Sequence, residues 1–192
     1  TRSKIIANMT PEWKDCYEAG IFTEFMEQRG PGHTVGSVKI YEKGFLDYKE
    51  DIQKSIEALD FQNDPEAFDK RNQLRGMSKA CDAIMKLGER YAAYARELAE
   101  KETDEQRKAE LLQIAANCDV VPAHKPETFW QAIQMYWFVH LGVTTELNPW
   151  DAYSPGRLDQ HLNPFYVKDT EAGILDEKKA LELLECLWVK FN

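Results

Sequence analysis

Residues 129–141 read Phe-Trp-Gln-Ala-Ile-Gln-Met-Tyr-Trp-Phe-Val-His-Leu, an apolar stretch with helical spacing and almost no polar face. A helix of this kind has no side that water can wet, so other elements must cover it all round. That demand constrains the fold more than any other stretch does. Full cover is hard to arrange inside a mostly helical chain of 192 residues. The expectation is therefore that further sequence supplies part of it.

Helix signals dominate the remainder. Thr10-Pro11-Glu-Trp13 places a capping hydroxyl before a proline at the first helical position, which predicts a helix over 11–28 that Arg29-Gly-Pro-Gly32 then breaks. A second is predicted over 45–59, with Phe45, Ile52, Ile56 and Leu59 on one face. Asn63-Asp-Pro-Glu66 starts a third that runs to Ala99, with a break near Gly76 or Gly88. Thr103-Asp-Glu-Gln106 has capping-box spacing and opens a fourth to Asn117, whose Glu and Lys residues read as a solvated face. Pro126 begins the apolar helix, residues 142–147 are read as a short strand, and residues 157–166 as a short helix. Asp176 caps the last helix, on which Leu181, Leu184, Leu187, Trp188 and Phe191 share a face. No internal repeat or separating linker is visible, so residues 1–192 form one unit.

Composition narrows the partners. A net charge of -9 and a pI near 5.0 disfavour nucleic acid and anionic membranes, both of which need a positive patch. No apolar run of 18 residues exists to span a bilayer, and no signal peptide is visible. Cys16, Cys81, Cys118 and Cys186 stand singly with no Cys-x-x-Cys spacing, as reduced, buried thiols of a cytoplasmic protein do. The chain opens without Met, and its last helix carries no C-terminal stop signal before Asn192. Both features lead to the expectation that the polypeptide continues at each end.

Residues 148–166 concentrate polar, aromatic and turn-forming side chains between two apolar runs: Asp151, Arg157, Asp159 and His161 lie among Pro149, Pro155 and Pro164. Prolines restrict the backbone, so this segment reads as a pocket wall that holds side chains still. Trp150 and Tyr153 flank Asp151 and lower the local polarity, a setting in which a carboxylate binds an amine or hydroxyl strongly. The alternative is a capping aspartate or one paired with Arg157. His33 stands in a Gly-rich turn where backbone can approach a ligand and imidazole can exchange a proton near neutral pH, or where it caps a carbonyl. His140 reads as a satisfied core histidine, and His124 and His161 as loop residues beside prolines. No metal-ligand spacing, phosphate loop or Ser-His-Asp arrangement is present.

Four stretches together carry a family likeness: Met26-Glu-Gln-Arg-Gly-Pro-Gly-His-Thr-Val35, Asp119-Val-Val-Pro-Ala-His-Lys-Pro-Glu-Thr128, Gln131-Ala-Ile-Gln-Met-Tyr-Trp-Phe-Val-His140 and Trp150-Asp-Ala-Tyr-Ser-Pro-Gly-Arg-Leu-Asp-Gln-His161. They resemble the N-terminal half of a glycyl radical enzyme of the pyruvate formate-lyase-like family, and the likeness extends from Thr10 to Asn192. Two departures stand beside His33: Gly30 where Ala is usual, and Gly36-Ser-Val38 where Cys-Gly-Asp is expected.

The resemblance implies a fragment that is mainly α, contributing outer helices and a few inner segments to a ten-stranded α/β barrel. It implies that His33 and Asp151 hold the substrate, with Thr34, Trp150 and Tyr153 as wall residues, and that no metal is bound. The catalytic cysteine, in a Cys-x-Glu loop, and the radical glycine are expected downstream, so this chain alone has no catalytic residue and is inactive. Within the family the likeness is strongest to members that dehydrate a hydroxyproline-like amino acid. Other glycyl radical lyases are the alternatives: those acting on choline, on diols or glycerol, or on pyruvate. A non-catalytic helical interaction fragment is the remaining one. A radical S-adenosylmethionine activating enzyme installs the glycyl radical, and the full-length protein is expected to be a homodimer.

Overall fold

The computed structural model describes residues 7–21, 35–146 and 154–191. Among these residues the chain is helical, as expected: α1 (Pro11–Glu18), α2 (Lys39–Glu42), α3 (Phe45–Glu57), α4 (Ala67–Lys101), α5 (Glu105–Val120), α6 (Phe129–Glu146), α7 (Leu158–Glu171) and α8 (Glu177–Lys190).

The apolar helix organises the rest. α6 packs against α2, α4, α5, α7 and α8, and no side chain from Phe129 to Thr144 is exposed. Met135, Tyr136 and Phe138 are the largest of its fully buried residues. Each such side chain contributes about 1.5–3 kcal/mol of burial free energy. The chain itself thus supplies most of the cover, and the half-buried residues include the stripe Trp130, Gln134, Trp137 and Leu141.

The start of α6 is fixed from two directions. Thr128 Oγ1 accepts the Gln131 amide at 3.2 Å, and the buried Asp169 carboxylate accepts the Phe129 amide at 2.7 Å. These satisfy N–H groups that a helix leaves without internal partners. The α3 entrance is docked as well, with the amides of Phe45 and Leu46 donating to the carbonyls of Pro122 and Ala123. Only glycine fits at 44, because a Cβ there would strike the Ala123 carbonyl and the His124 backbone.

Several expectations need correction. α1 ends at Glu18 rather than 28, since Gly20 takes φ +72 and the Ile21 amide closes back on the Cys16 carbonyl. α4 is unbroken across 35 residues: Gly76 faces open space, and Gly88 gives room to Pro122 on the neighbouring turn. The α5 cap is Asp104, which accepts the Arg107 amide, not Thr103. Residues 142–146 continue α6 instead of forming a strand, with Gly142 packed against Ile84 and the Thr144 hydroxyl donating to the His140 carbonyl. α7 reaches Glu171 and contains Pro164 in its interior. α8 is capped by Asp176 as expected, yet its buried line is Ala180, Leu183 and Leu187, while Leu181 and Trp188 are exposed.

Candidate functional site

His33, Thr34, Trp150, Asp151 and Tyr153 lie outside the described residues, as does Pro149. What the structure does describe is where the chain emerges from each motif. The residue after Thr34 and the residue after Tyr153 are hydrogen-bonded: the Val35 amide donates to the Ser154 carbonyl at 3.3 Å. Two motifs distant in sequence therefore end side by side.

Each strand of this junction is built by local sequence. Gly36 and Ser37 follow Val35 with φ +69 and +50, a tight turn into α2. Glycine is needed at 36 on two counts, the left-handed backbone and the Ile40 side chain that a Cβ would meet. The departure Gly36-Ser-Val38 thus falls on this turn, and Ser37 holds a conformation that non-glycine residues rarely adopt. On the other side the Gly156 amide donates to Ser154 Oγ at 3.0 Å, and Gly156, with φ +67, turns the chain into α7. Beneath the junction Val35, Ile40, Tyr41, Leu158 and Leu162 are buried in the core that α6 anchors.

Polar groups are few here. The Tyr41 hydroxyl and His161 Nδ1 are both buried, and neither has a hydrogen-bond partner among the described residues. Their rings lie 5.5 Å apart. His161 sits on α7 rather than in a loop. Arg157 Nη1 reaches Gln160 Oε1 at 3.5 Å, and Asp159 is exposed in the first turn of α7. Tyr41 carries no local sequence signal beyond its place shortly after the Gly36-Ser37 pair.

The other histidines sit elsewhere. His140 is half-buried, with Nδ1 3.1 Å from the Tyr136 hydroxyl and its ring stacked on Trp137, a satisfied core histidine as expected. Burial lowers its pKa. His124 is exposed on an open surface cleft of about 730 Å³ beside Glu42, Lys43, Asp47 and Glu50.

The four cysteines are free thiols, with Cys81 and Cys118 buried as expected, Cys16 half-buried and Cys186 exposed against expectation. Burial pushes the Cys118 thiol up to about 11, which suppresses nucleophilic thiolate. The sequence does spell Cys-x-Glu once, at Cys16-Tyr-Glu18, but these residues form the last turn of α1, not a loop. No cluster of His, Cys, Asp and Glu able to hold a metal occurs among the described residues, and none of their helices is long and apolar enough to cross a membrane.

With this geometry the chain can be set beside known proteins. The model for the pyruvate formate lyase-like family matches residues 1–192. The chain is 67% identical over 192 residues to trans-4-hydroxy-L-proline dehydratase of Clostridioides difficile, which covers all of this chain and 24% of that protein. It is 41% identical over 151 residues to isethionate sulfite-lyase of Desulfovibrio desulfuricans, covering 79% of this chain and 18% of that protein. The crystal structure of the Clostridioides difficile hydroxyproline dehydratase with trans-4-hydroxy-L-proline bound superposes with a TM-score of 0.88 at 67% identity, over 99% of this chain and 24% of that one. The chain thus spans about a quarter of the length of the hydroxyproline dehydratase it matches and matches a smaller share of the sulfite-lyase.

Proposed function

The chain belongs to the pyruvate formate lyase-like family, and from that premise we propose that it is part of a glycyl radical dehydratase converting trans-4-hydroxy-L-proline to a pyrroline-5-carboxylate and water. The observation that carries this reading is the 67% identity sustained across every residue of the chain, against 41% over a shorter stretch for a sulfite-lyase. Residues 1–192 would be a partial pyruvate formate lyase-like domain, packed as outer helices and inner segments of the family's ten-stranded barrel.

The chemistry explains why a radical is required. The hydrogen on the carbon beside the ring nitrogen is not acidic enough for an ordinary side-chain base near neutral pH. The cysteine and glycine pair in the rest of the polypeptide supplies hydrogen-atom abstraction there. This chain's residues bind, orient and move a proton. Asp151 pairs with the ring ammonium or contacts the departing hydroxyl, held in a low-polarity setting by Trp150 and Tyr153. His33 hydrogen-bonds that hydroxyl and protonates it as it leaves as water, which makes a poor leaving group a good one. Thr34 completes the wall. The Val35–Ser154 hydrogen bond supports the arrangement, because it brings the exits of the two motifs together.

The full-length protein would act in the cytoplasm as a homodimer, with its radical installed by a radical S-adenosylmethionine activating enzyme, and would bind no metal. The test is turnover by the activated full-length protein. Formation of pyrroline carboxylate from trans-4-hydroxy-L-proline is expected, without sulfite release from isethionate. Turnover of isethionate, choline or a diol in its place would overturn the substrate assignment.

A further inference from the structure

One face of α4 is apolar and open. Gly76, Ala80, Ala83, Leu87, Tyr91 and Tyr94 recur at steps of four or three residues, which sets them in one line along the helix. Leu87 is half-buried and the other five are exposed, Tyr94 by 55%. The line is about 27 Å long at 1.5 Å per residue. Along one border it meets the central helix, where the Tyr91 ring lies 6.0 Å from that of Phe138.

The other border is basic. Arg75, Lys79, Lys86 and Arg90 are all exposed, and their spacing places them in a second line beside the first. Lys86 pairs with Glu89 at 2.7 Å and Lys79 reaches Asp82 only at 3.9 Å. Arg75 and Arg90 have no carboxylate partner among the described residues. Such an edge stands out in a chain of net charge -9. A face turned to water carries polar residues along its centre, whereas tyrosine and arginine are enriched where proteins dock. The small side chains at 76, 80 and 83 leave a shallow floor on which a second helix can lie closely.

Resting on the reading of residues 1–192 as part of a longer dehydratase, we propose that this face receives a helix of the same polypeptide from outside residues 1–192. The apolar side of that helix lies on Gly76, Ala80 and Ala83, and its acidic edge meets Arg75 and Arg90. Residues 1–192 cover 24% of the hydroxyproline dehydratase, so about three-quarters of such a polypeptide is available to pack here. A second copy is the poorer occupant. Two α4 helices paired antiparallel about a twofold axis set Arg75 of one copy beside Arg90 of the other, and like charges repel.

The experiment is hydroxyl-radical footprinting of the full-length polypeptide, which needs neither activation nor substrate. Tyr94 is expected to oxidise at least about 10-fold more slowly than in the urea-unfolded polypeptide, as the dry centre of an interface does. Carbodiimide coupling of Lys79 and Lys86 to carboxylates then identifies the occupant. In a sample assembled from isotopically light and heavy copies, cross-links are expected to Asp or Glu outside residues 1–192 and within one copy. Arg75→Glu combined with Arg90→Glu should quicken Tyr94 oxidation several-fold. Tyr94 oxidation close to the unfolded rate means an open face and overturns the inference. Cross-links that join two copies, cross-links confined to residues 1–192, or an unchanged footprint in the charge-reversed variant overturn it as well. If that variant does not fold, the wild-type footprint and cross-links decide. Protection with these cross-links in a protein that leaves hydroxyproline untouched sustains the docked helix and overturns the functional reading instead.

Discussion

The Asp169 carboxylate accepts the backbone N–H of Phe129 at 2.7 Å, 40 residues away in sequence, while the aspartate is only 2% exposed. The end of α7 therefore caps the start of the central helix. The Asp169 carbonyl also accepts the amides of Ile174 and Leu175, so one residue joins α6, α7 and the turn into α8.

Removing that carboxylate leaves a buried N–H unpaired. Asp169→Ala is expected to cost about 2–3 kcal/mol, and Asp169→Asn less, because its amide oxygen can still accept. Urea unfolding of the two variants beside the parent chain checks this, and an alanine variant as stable as the parent would remove Asp169 from the capping role.

The two α4 glycines give opposite expectations. Gly76 faces open space in a helix interior, so Gly76→Ala should stabilise by about 0.5–1 kcal/mol. At Gly88 a Cβ would lie 2.6 Å from Pro122 Cδ, so Gly88→Ala should destabilise by about 1–3 kcal/mol through overpacking. Thermal melts of the pair that shift in the same direction would contradict the packing described.

His140 should confer pH dependence. Its folded pKa lies below the ordinary value of 6.5 because burial disfavours the charged ring. A depressed folded pKa contributes stability that is present above the unfolded pKa and lost as pH falls through the folded one. The chain should therefore melt lower at about pH 5 than at about pH 7.5, by a smaller margin in His140→Gln. Identical margins would assign the effect to other groups.

For the activated full-length protein, Asp151→Asn and His33→Ala are each expected to lower hydroxyproline dehydration by at least about 100-fold. The glycyl radical signal in electron paramagnetic resonance should persist in both, since neither residue takes part in installing it. Near-normal turnover by either variant would remove that residue from the proposed site.

What could be read in the sequence was of two kinds. Thr10 and Asp176 are visible as helix starts because their bonds to the amides of Trp13 and Lys179 close within three residues, whereas the apolar helix starts at Phe129 behind Thr128 and not at Pro126 as expected. The burial of residues 129–141 is visible because a surface without polar groups has one stable destination. The motifs containing His33 and Asp151 are likewise visible as chemistry, in residue types and neighbours.

Tertiary structure decided the rest. Val143, Thr144 and Thr145 have strand propensity, yet they extend α6, where Gly142 packs on Ile84 and Thr144 bonds the preceding turn. The choice of Leu183 over Leu181 as a core residue depends on how α8 is rotated against α6, and α8's own leucines are spread too evenly to fix that. The meeting of Val35 with Ser154, and of Tyr41 with His161, joins segments that no local pattern links. Sequence by itself thus determined where most of the helices form, because that follows from interactions a few residues long. Which groups are neighbours was settled only when the apolar helix was covered, because burying that surface fixes the packing of every element around it.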